Sequence, residues 1–191
     1  SDLVESLLSD PFKKIVGQAK TKKIFKDTFE WIISGVNIRK DDYEKPIKSM
    51  IFSGPSGVGK TLFARELQYI LNAYYQNNLK MIKINCADYS WDTSYALNRL
   101  VGASAWFVGS NKKPILHPDN VEWQGRVILL DEIEKAWSPL WNLMLAILDD
   151  WILDVDYTDT WIMQPTIIWW HDEGTCDASS VKSYFKDTVF I

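Results

Sequence analysis

One short run of the sequence restricts the fold of the whole chain more than any other feature. Residues 54–61 read Gly-Pro-Ser-Gly-Val-Gly-Lys-Thr and match G-x-x-x-x-G-K-[ST] completely. Such glycines let backbone amides approach phosphate oxygens without an intervening Cβ, and a following helix adds its positive N-terminal dipole. Lys60 can reach the β- and γ-phosphates, and the Thr61 hydroxyl can ligate Mg²⁺. The pattern predicts a phosphate-binding loop between a strand and a helix; a glycine-rich turn without function is the alternative.

A second pattern places two carboxylates directly after an apolar run. Residues 127–130 read Val-Ile-Leu-Leu, and Asp131 and Glu132 follow them. Ligands of open α/β sheets bind at the carboxyl ends of the strands. Asp131 is placed to hold the hydration shell of Mg²⁺, and Glu132 to polarise a water for in-line attack on the γ-phosphate. Alone, the pair could equally be an exposed helix N-cap, but its position about 70 residues after the phosphate-binding loop favours nucleotide hydrolysis.

Apolar patterns along the chain alternate between strand and helix. The segments typical of strands are 47–53, 80–84, 126–130, 165–170 and 188–191, and those typical of helices are 19–33, 61–75, 91–100 and 138–148. This alternation predicts a three-layer α/β domain with a mostly parallel, five-stranded sheet. We expect residues 1–191 to form a single domain, in which a segment at 1–18 precedes an α/β core at 19–191.

Composition narrows the classes of partner and the compartment. The chain has 191 residues, with 21 basic and 25 acidic side chains and a net charge of −4, which argues against nucleic-acid binding driven by bulk charge. Two cysteines are too few for a disulfide framework and fit a reducing compartment. No apolar run approaches the roughly 18 residues that span a bilayer, and the first residues lack the pattern of a signal peptide. We therefore expect a cytoplasmic protein without a membrane partner.

Six segments, in order along the chain, resemble the large ATPase subdomain of AAA+ proteins, most closely that of the Clp-type protein unfoldases. These segments are 15–18, 54–61, 85–89, 129–136, 145–150 and 166–174. The resemblance implies a P-loop NTPase fold that binds ATP or ADP with Mg²⁺. The family's C-terminal helical lid has no counterpart in the sequence. The nucleotide-binding residues expected from the loop and the resemblance are Ile15, Val16, Gly54, Pro55, Ser56, Gly57, Val58, Gly59, Lys60, Thr61 and Leu62.

The resemblance also assigns a substrate-gripping loop. Trp106 and Phe107, in Trp-Phe-Val-Gly, fall where such unfoldases carry an aromatic pore loop that contacts polypeptide substrate. An aromatic on an exposed loop can wedge against many side chains without reading sequence. An ordinary buried aromatic pair is the alternative interpretation.

Two departures from the family pattern affect hydrolysis. Asp172 stands at the expected sensor-1 position, where the family has Asn, and a carboxylate there would repel the γ-phosphate. Near the expected arginine finger the chain offers Lys186, and lysine does not replace a bidentate guanidinium. The catalytic residues expected are Lys60, Glu132 and Asp172, and the Mg²⁺ ligands Thr61 and Asp131.

Two functions remain open from the sequence. The first is an ATP-hydrolysing unit of a homo- or hetero-oligomeric AAA+ ring that unfolds or remodels polypeptide substrates. The second is a nucleotide-dependent switch or assembly module with weak or no hydrolysis. The phosphate-binding loop and the Asp131–Glu132 pair support both, the aromatic loop favours the first, and Asp172 favours the second.

Overall fold

The computed structural model describes residues 2–33, 48–55, 57–90, 94–104, 110–123, 125–150, 152–156, 180–184 and 188–191. Its helices are α1 (Asp2–Lys14), α2 (Ala19–Ile33), α3 (Lys60–Tyr75), α4 (Ser94–Val101), α5 (Pro118–Val121) and α6 (Ser138–Asp150). Its strands are β1 (Lys48–Ser49), β2 (Ile82–Asn85), β3 (Arg126–Asp131), β4 (Ile152–Asp156), β5 (Ser180–Tyr184) and β6 (Thr188–Phe190). None of the helices described is long and apolar enough to cross a membrane.

Four of the strands form one parallel sheet in the order β1-β6-β3-β2. The sheet places β6 between β1, which leads toward the phosphate-binding loop, and β3, which leads to Asp131. Pairing continues past β6, because the amide of Leu130 donates to the carbonyl of Ile191 at 2.7 Å. Four of the five strands expected from the sequence are present. The fifth, at 165–170, lies outside the described residues.

Helices cover both faces of this sheet, as the alternating pattern predicts. Alternate side chains of β3 enter two separate hydrophobic cores, because successive residues of a strand point to opposite faces. Val127 and Leu129 pack in the core that α1, α2 and α3 build. Ile128 packs in the second core, built largely by α4, α6 and the loops between them. The architecture is therefore the expected three-layer arrangement.

The first helix, α1, was not expected from the sequence, which assigned residues 1–18 only to an N-terminal segment. Leu8 is 2% exposed and belongs to the first core, so α1 packs on the domain rather than extending from it. The Lys14 ammonium is 3.1 Å from the carboxylate of Glu66, which is buried on α3. This ion pair and the apolar contacts fix the end of α1 beside the phosphate-binding helix.

A small antiparallel sheet, β4 with β5, is a second element that the sequence did not predict. It holds both ends of the connection between α4 and α5. At the first end, Gly102 lies so close to β4 that an added Cβ would be 1.6 Å from the carbonyl oxygen of Asp156. The Ser104 hydroxyl donates to the Asp156 carboxylate at 3.1 Å. At the second end, the buried Ser183 hydroxyl on β5 donates to the carbonyl of Leu116 at 2.6 Å.

Candidate nucleotide site

The loop of residues 54–61 joins the sheet to α3, as the sequence predicts. Gly59 is the N-cap of α3 and has φ 96°, a left-handed conformation that favours glycine. A Cβ added at Gly57 or Gly59 would meet no atom within 4 Å, so the space in front of the loop is open. No side chain caps the helix. The first amides of α3 therefore face this space without intrahelical partners, which is the arrangement that binds phosphate.

Lys60 lies against the loop that precedes it. Its ammonium donates to the carbonyl of Gly54 at 2.7 Å and to that of Pro55 at 2.8 Å. These bonds keep the charged end of the side chain at the loop rather than in bulk solvent. A lysine held there is positioned for phosphate oxygens that come into the same space.

The segment between α1 and α2 reaches the same loop. The side-chain amide of Gln18 donates to the carbonyl of Val58 at 2.5 Å, and Gln18 itself has φ 54°. Ile15 and Val16, two of the expected nucleotide-binding residues, differ in exposure. Val16 is 87% exposed, whereas Ile15 is 3% exposed within the first core. The Val16 side chain is therefore accessible to a ligand, and the Ile15 side chain packs in the core.

Asp131 ends β3 on the face of the sheet that carries α3. It follows Leu129 by two residues, so the two side chains share a face, and Leu129 packs in the core to which α3 contributes. Leu62, next to Thr61 at the start of α3, packs against that same core. Asp131 therefore ends β3 on the face of the sheet that α3 covers, and Thr61 lies in the first turn of α3. A carboxylate and a hydroxyl are oxygen donors, as Mg²⁺ prefers, so these residues fit the cation.

A lysine that the sequence reasoning missed neutralises Asp131. Lys83 lies on β2, and its Nζ is 2.7 Å from Oδ2 of Asp131. Asn85 is the residue of β2 aligned with Asp131, so Lys83 reaches it diagonally from two positions earlier on the same face. The two side chains are 49% and 28% exposed, respectively. Strand alternation could have suggested the pair, since Lys83 alternates with the apolar Ile82 and Ile84.

Glu132 leaves the strand with an unusual backbone conformation. Its φ of 55° and ψ of 42° are left-handed, which costs a non-glycine residue about 1–2 kcal/mol. Its carboxylate is 2.8 Å from the ammonium of Lys135, three residues later. The hydrogen bond to Glu132 and the charge of that carboxylate raise the pKa of Lys135. Glu132, the expected general base, therefore follows the carboxyl end of β3 in a left-handed turn, and its carboxylate is paired with Lys135.

Cys86 directly follows β2, and its thiol is buried. Burial, followed by the negative charges of Asp131, Glu134 and Asp88, raises the pKa of Cys86 to about 11. The thiol therefore stays protonated near neutral pH and acts as a small apolar side chain of the second core. Asn85, just before it, accepts from the amide of Ala87 and donates to the carboxylate of Asp88 at 3.0 Å.

The histidine that the structure describes has a structural role. His117 caps α5, since its Nδ1 accepts from the amide of Asp119 at 3.3 Å. Burial lowers the pKa of His117. Within the described ranges, no group of three or more His, Cys, Asp or Glu residues could hold a metal ion.

Four of the expected functional residues lie outside the described residues: Ser56, Trp106, Phe107 and Asp172. They stay predictions.

Comparison with known protein families shows to which family this chain belongs. Residues 45–191 match the family described as AAA domain (Cdc48 subfamily). The chain belongs to this family. The matched range begins before β1 and contains the phosphate-binding loop, Asp131 and Glu132.

Individual relatives of this AAA domain are similar to it over most of its length. It is 33% identical over 162 residues to the chaperone protein ClpB of Staphylococcus epidermidis, which covers 82% of the chain and 18% of that protein. It is equally identical over the same length to the chaperone protein ClpB of Staphylococcus aureus. With the chaperone protein ClpB of Bacillus cereus it shares 32% identity over 194 residues, which covers 97% of the chain and 21% of that protein. The chain spans about a fifth of the length of these relatives.

Proposed function

We propose that this AAA domain binds ATP or ADP together with Mg²⁺ and hydrolyses ATP. The observation that supports the proposal is that Asp131 ends β3 on the face of the sheet covered by α3, the helix that begins at the phosphate-binding loop. In this arrangement, Lys60 and the amides at the start of α3 bind phosphate oxygens. Thr61 and Asp131 hold the cation, which offsets negative charge on the phosphates when bound.

Glu132 is proposed to orient the attacking water and to accept its proton. Glu132 directly follows Asp131, and its left-handed backbone ends the extended conformation of the strand. The Glu132 side chain is 44% exposed, so water can reach it. Release from Lys135 would then be needed for the carboxylate to act as a base toward a water at the γ-phosphate.

A second function is supported by a specific contact. The ion pair of Glu132 with Lys135, at 2.8 Å, holds the expected base on its own segment. A domain in which this pair persists with ATP bound would bind nucleotide and change partner affinity without efficient turnover. This is the switch or assembly module that the sequence left open.

The relatives add a proposal about the larger assembly. They are named chaperone proteins, and by resemblance we propose that this AAA domain works in an oligomeric ring on polypeptide substrates. In this proposal Trp106 and Phe107 contact the substrate. Support comes from the small sheet β4–β5, which fixes both ends of the connection that contains these residues.

Calorimetric titration with ATP in the presence of Mg²⁺ tests the nucleotide proposal. We expect the wild-type chain to bind and Lys60→Ala to lose at least tenfold in affinity, because the ammonium and its charge-assisted phosphate contacts are gone. Lys112→Ala is the matched control, since Lys112 is an exposed lysine on the connection between α4 and α5. Equal affinity of the wild type and Lys60→Ala would overturn the proposal.

A further inference from the structure

The carboxylate proposed to hold Mg²⁺ already has a cationic partner from the neighbouring strand. Lys83 Nζ is 2.7 Å from Asp131 Oδ2, within the range of a charge-assisted hydrogen bond. The partner comes from β2, which is paired along its whole length with β3, so the sheet fixes the backbone positions from which the two side chains reach each other. The position of the Lys83 backbone beside Asp131 is therefore set by the sheet and not by a distant loop.

We infer that Lys83 is a built-in counterion that occupies the Mg²⁺ position on Asp131 and yields it when the metal–nucleotide complex binds. The inference rests on the proposed function of the site. An ammonium and a Mg²⁺ ion at the same carboxylate repel each other, so each weakens the binding of the other there. Lys83 is then a positioning residue. Without metal it neutralises Asp131 beside the phosphates, and with metal it competes with Mg²⁺ for the Asp131 carboxylate.

The exposure of the pair makes this exchange feasible. Lys83 is 49% exposed, so its flexible side chain can swing into solvent without leaving a buried charge. Partly exposed ion pairs of this kind contribute about 0.2–1 kcal/mol, which corresponds to about a 1.4- to fivefold change in an equilibrium constant. The proposed competition thus has a small but measurable size.

Two opposite effects of removing the ammonium combine in one measurable ratio. In Lys83→Gln without metal, the uncompensated Asp131 charge repels the nucleotide phosphates and weakens binding. With Mg²⁺, the same carboxylate is free for the cation, and binding is strengthened. The ratio of the dissociation constant in EDTA to that in Mg²⁺ therefore rises, and this ratio is a binding quantity independent of turnover.

The experiment measures this ratio for a fluorescent mant-ADP probe on the full 191-residue chain. We expect it to rise about two- to fivefold in Lys83→Gln and to return to the wild-type value in Lys83→Arg, which restores the charge. Lys135→Gln is the matched control, because it removes the same charge from the neighbouring carboxylate, Glu132. Thermal unfolding of each variant shows that the compared proteins are folded.

Three results would overturn the inference. They are an unchanged ratio in Lys83→Gln, a lower ratio, which would mean that Lys83 assists the metal, and an equal rise in Lys135→Gln, which would mean a general effect of charge. Each of these results can be observed while the wild-type chain binds mant-ADP with Mg²⁺ normally, so none of them argues against the proposed function. Failure of the wild-type chain to bind mant-ADP with Mg²⁺ would instead refute the proposed function, and the inference with it.

Discussion

Gln68 on α3 is hydrogen bonded to the backbone at the start of β3. Its side-chain oxygen accepts from the amide of Val127 at 2.9 Å, and its side-chain nitrogen donates to the carbonyl of Gly125 at 3.0 Å. Gln68 is 4% exposed, so these bonds are shielded from water. One buried amide thus joins the helix that begins at the phosphate-binding loop to the strand that ends at Asp131.

We expect Gln68→Leu to lower the free energy of unfolding by about 2–4 kcal/mol, because two buried backbone groups lose their partners. Urea unfolding followed by circular dichroism measures the change. Arg65→Leu, at an exposed position of the same helix, is the control and should change stability by less than about 0.5 kcal/mol. A loss no larger than that of the control would show that water replaces both bonds.

Gly102→Ala should be among the most disruptive small substitutions in the chain. The new Cβ would be 1.6 Å from the Asp156 carbonyl oxygen, and φ at this position is +91°. The main chains of α4 and β4 must then move apart, which we expect to cost at least about 2 kcal/mol. Gly17→Ala is the matched control, since Gly17 also has positive φ but meets no atom within 4 Å. Similar unfolding free energies for the two variants would contradict the close contact.

The Cys86 thiol should make stability depend on alkaline pH. Its pKa in the folded state is about 11, above the ordinary value of 9.0, so the unfolded chain loses this proton first as pH rises. The thiol's contribution to stability is therefore fully present below pH 9 and decreases between pH 9 and about 11. The stability difference between wild type and Cys86→Ala, measured by urea unfolding in EDTA, should be smaller at about pH 10.5 than at pH 8. A difference that is constant with pH would contradict the raised pKa.

Glu132→Gln should separate binding from turnover. The amide keeps the shape of the side chain but cannot accept a proton, so we expect ATP affinity within about threefold of wild type and a loss of at least a hundredfold in turnover. Calorimetry and phosphate release measure the two quantities. Loss of binding together with turnover would assign Glu132 a structural role at its left-handed turn, and a wild-type chain that binds without turnover would favour the switch function.

The elements predicted correctly from the sequence are those that short-range sequence patterns determine. The phosphate-binding loop, the strand before Asp131 and the helix at 19–33 depend on neighbouring residues, and the structure has all three. The sheet β4–β5 was missed because its two strands are separated by more than twenty residues, which no short-range turn signal connects. Lys83 was missed for a similar reason, since its partner depends on the register of β2 against β3. The sequence alone does not distinguish an exposed lysine that has an ion-pair partner from one that has none, because the partner lies on a neighbouring strand.

The position of β6 has a consequence for synthesis and folding of the chain. Thr188–Phe190 is the last strand described, yet it lies in the interior of the sheet, between strands that begin about 140 and 60 residues earlier. A growing chain can pair β2 with β3, but among the described strands β1 has no partner until residues 188–190 arrive. The strand that leads toward the phosphate-binding loop and the strand that leads to Asp131 are therefore joined in one sheet only after residues 188–190 have paired with both. A ribosome-bound chain that stops before residue 188 should expose β1 and one side of β3 to chaperones and to other unfinished chains.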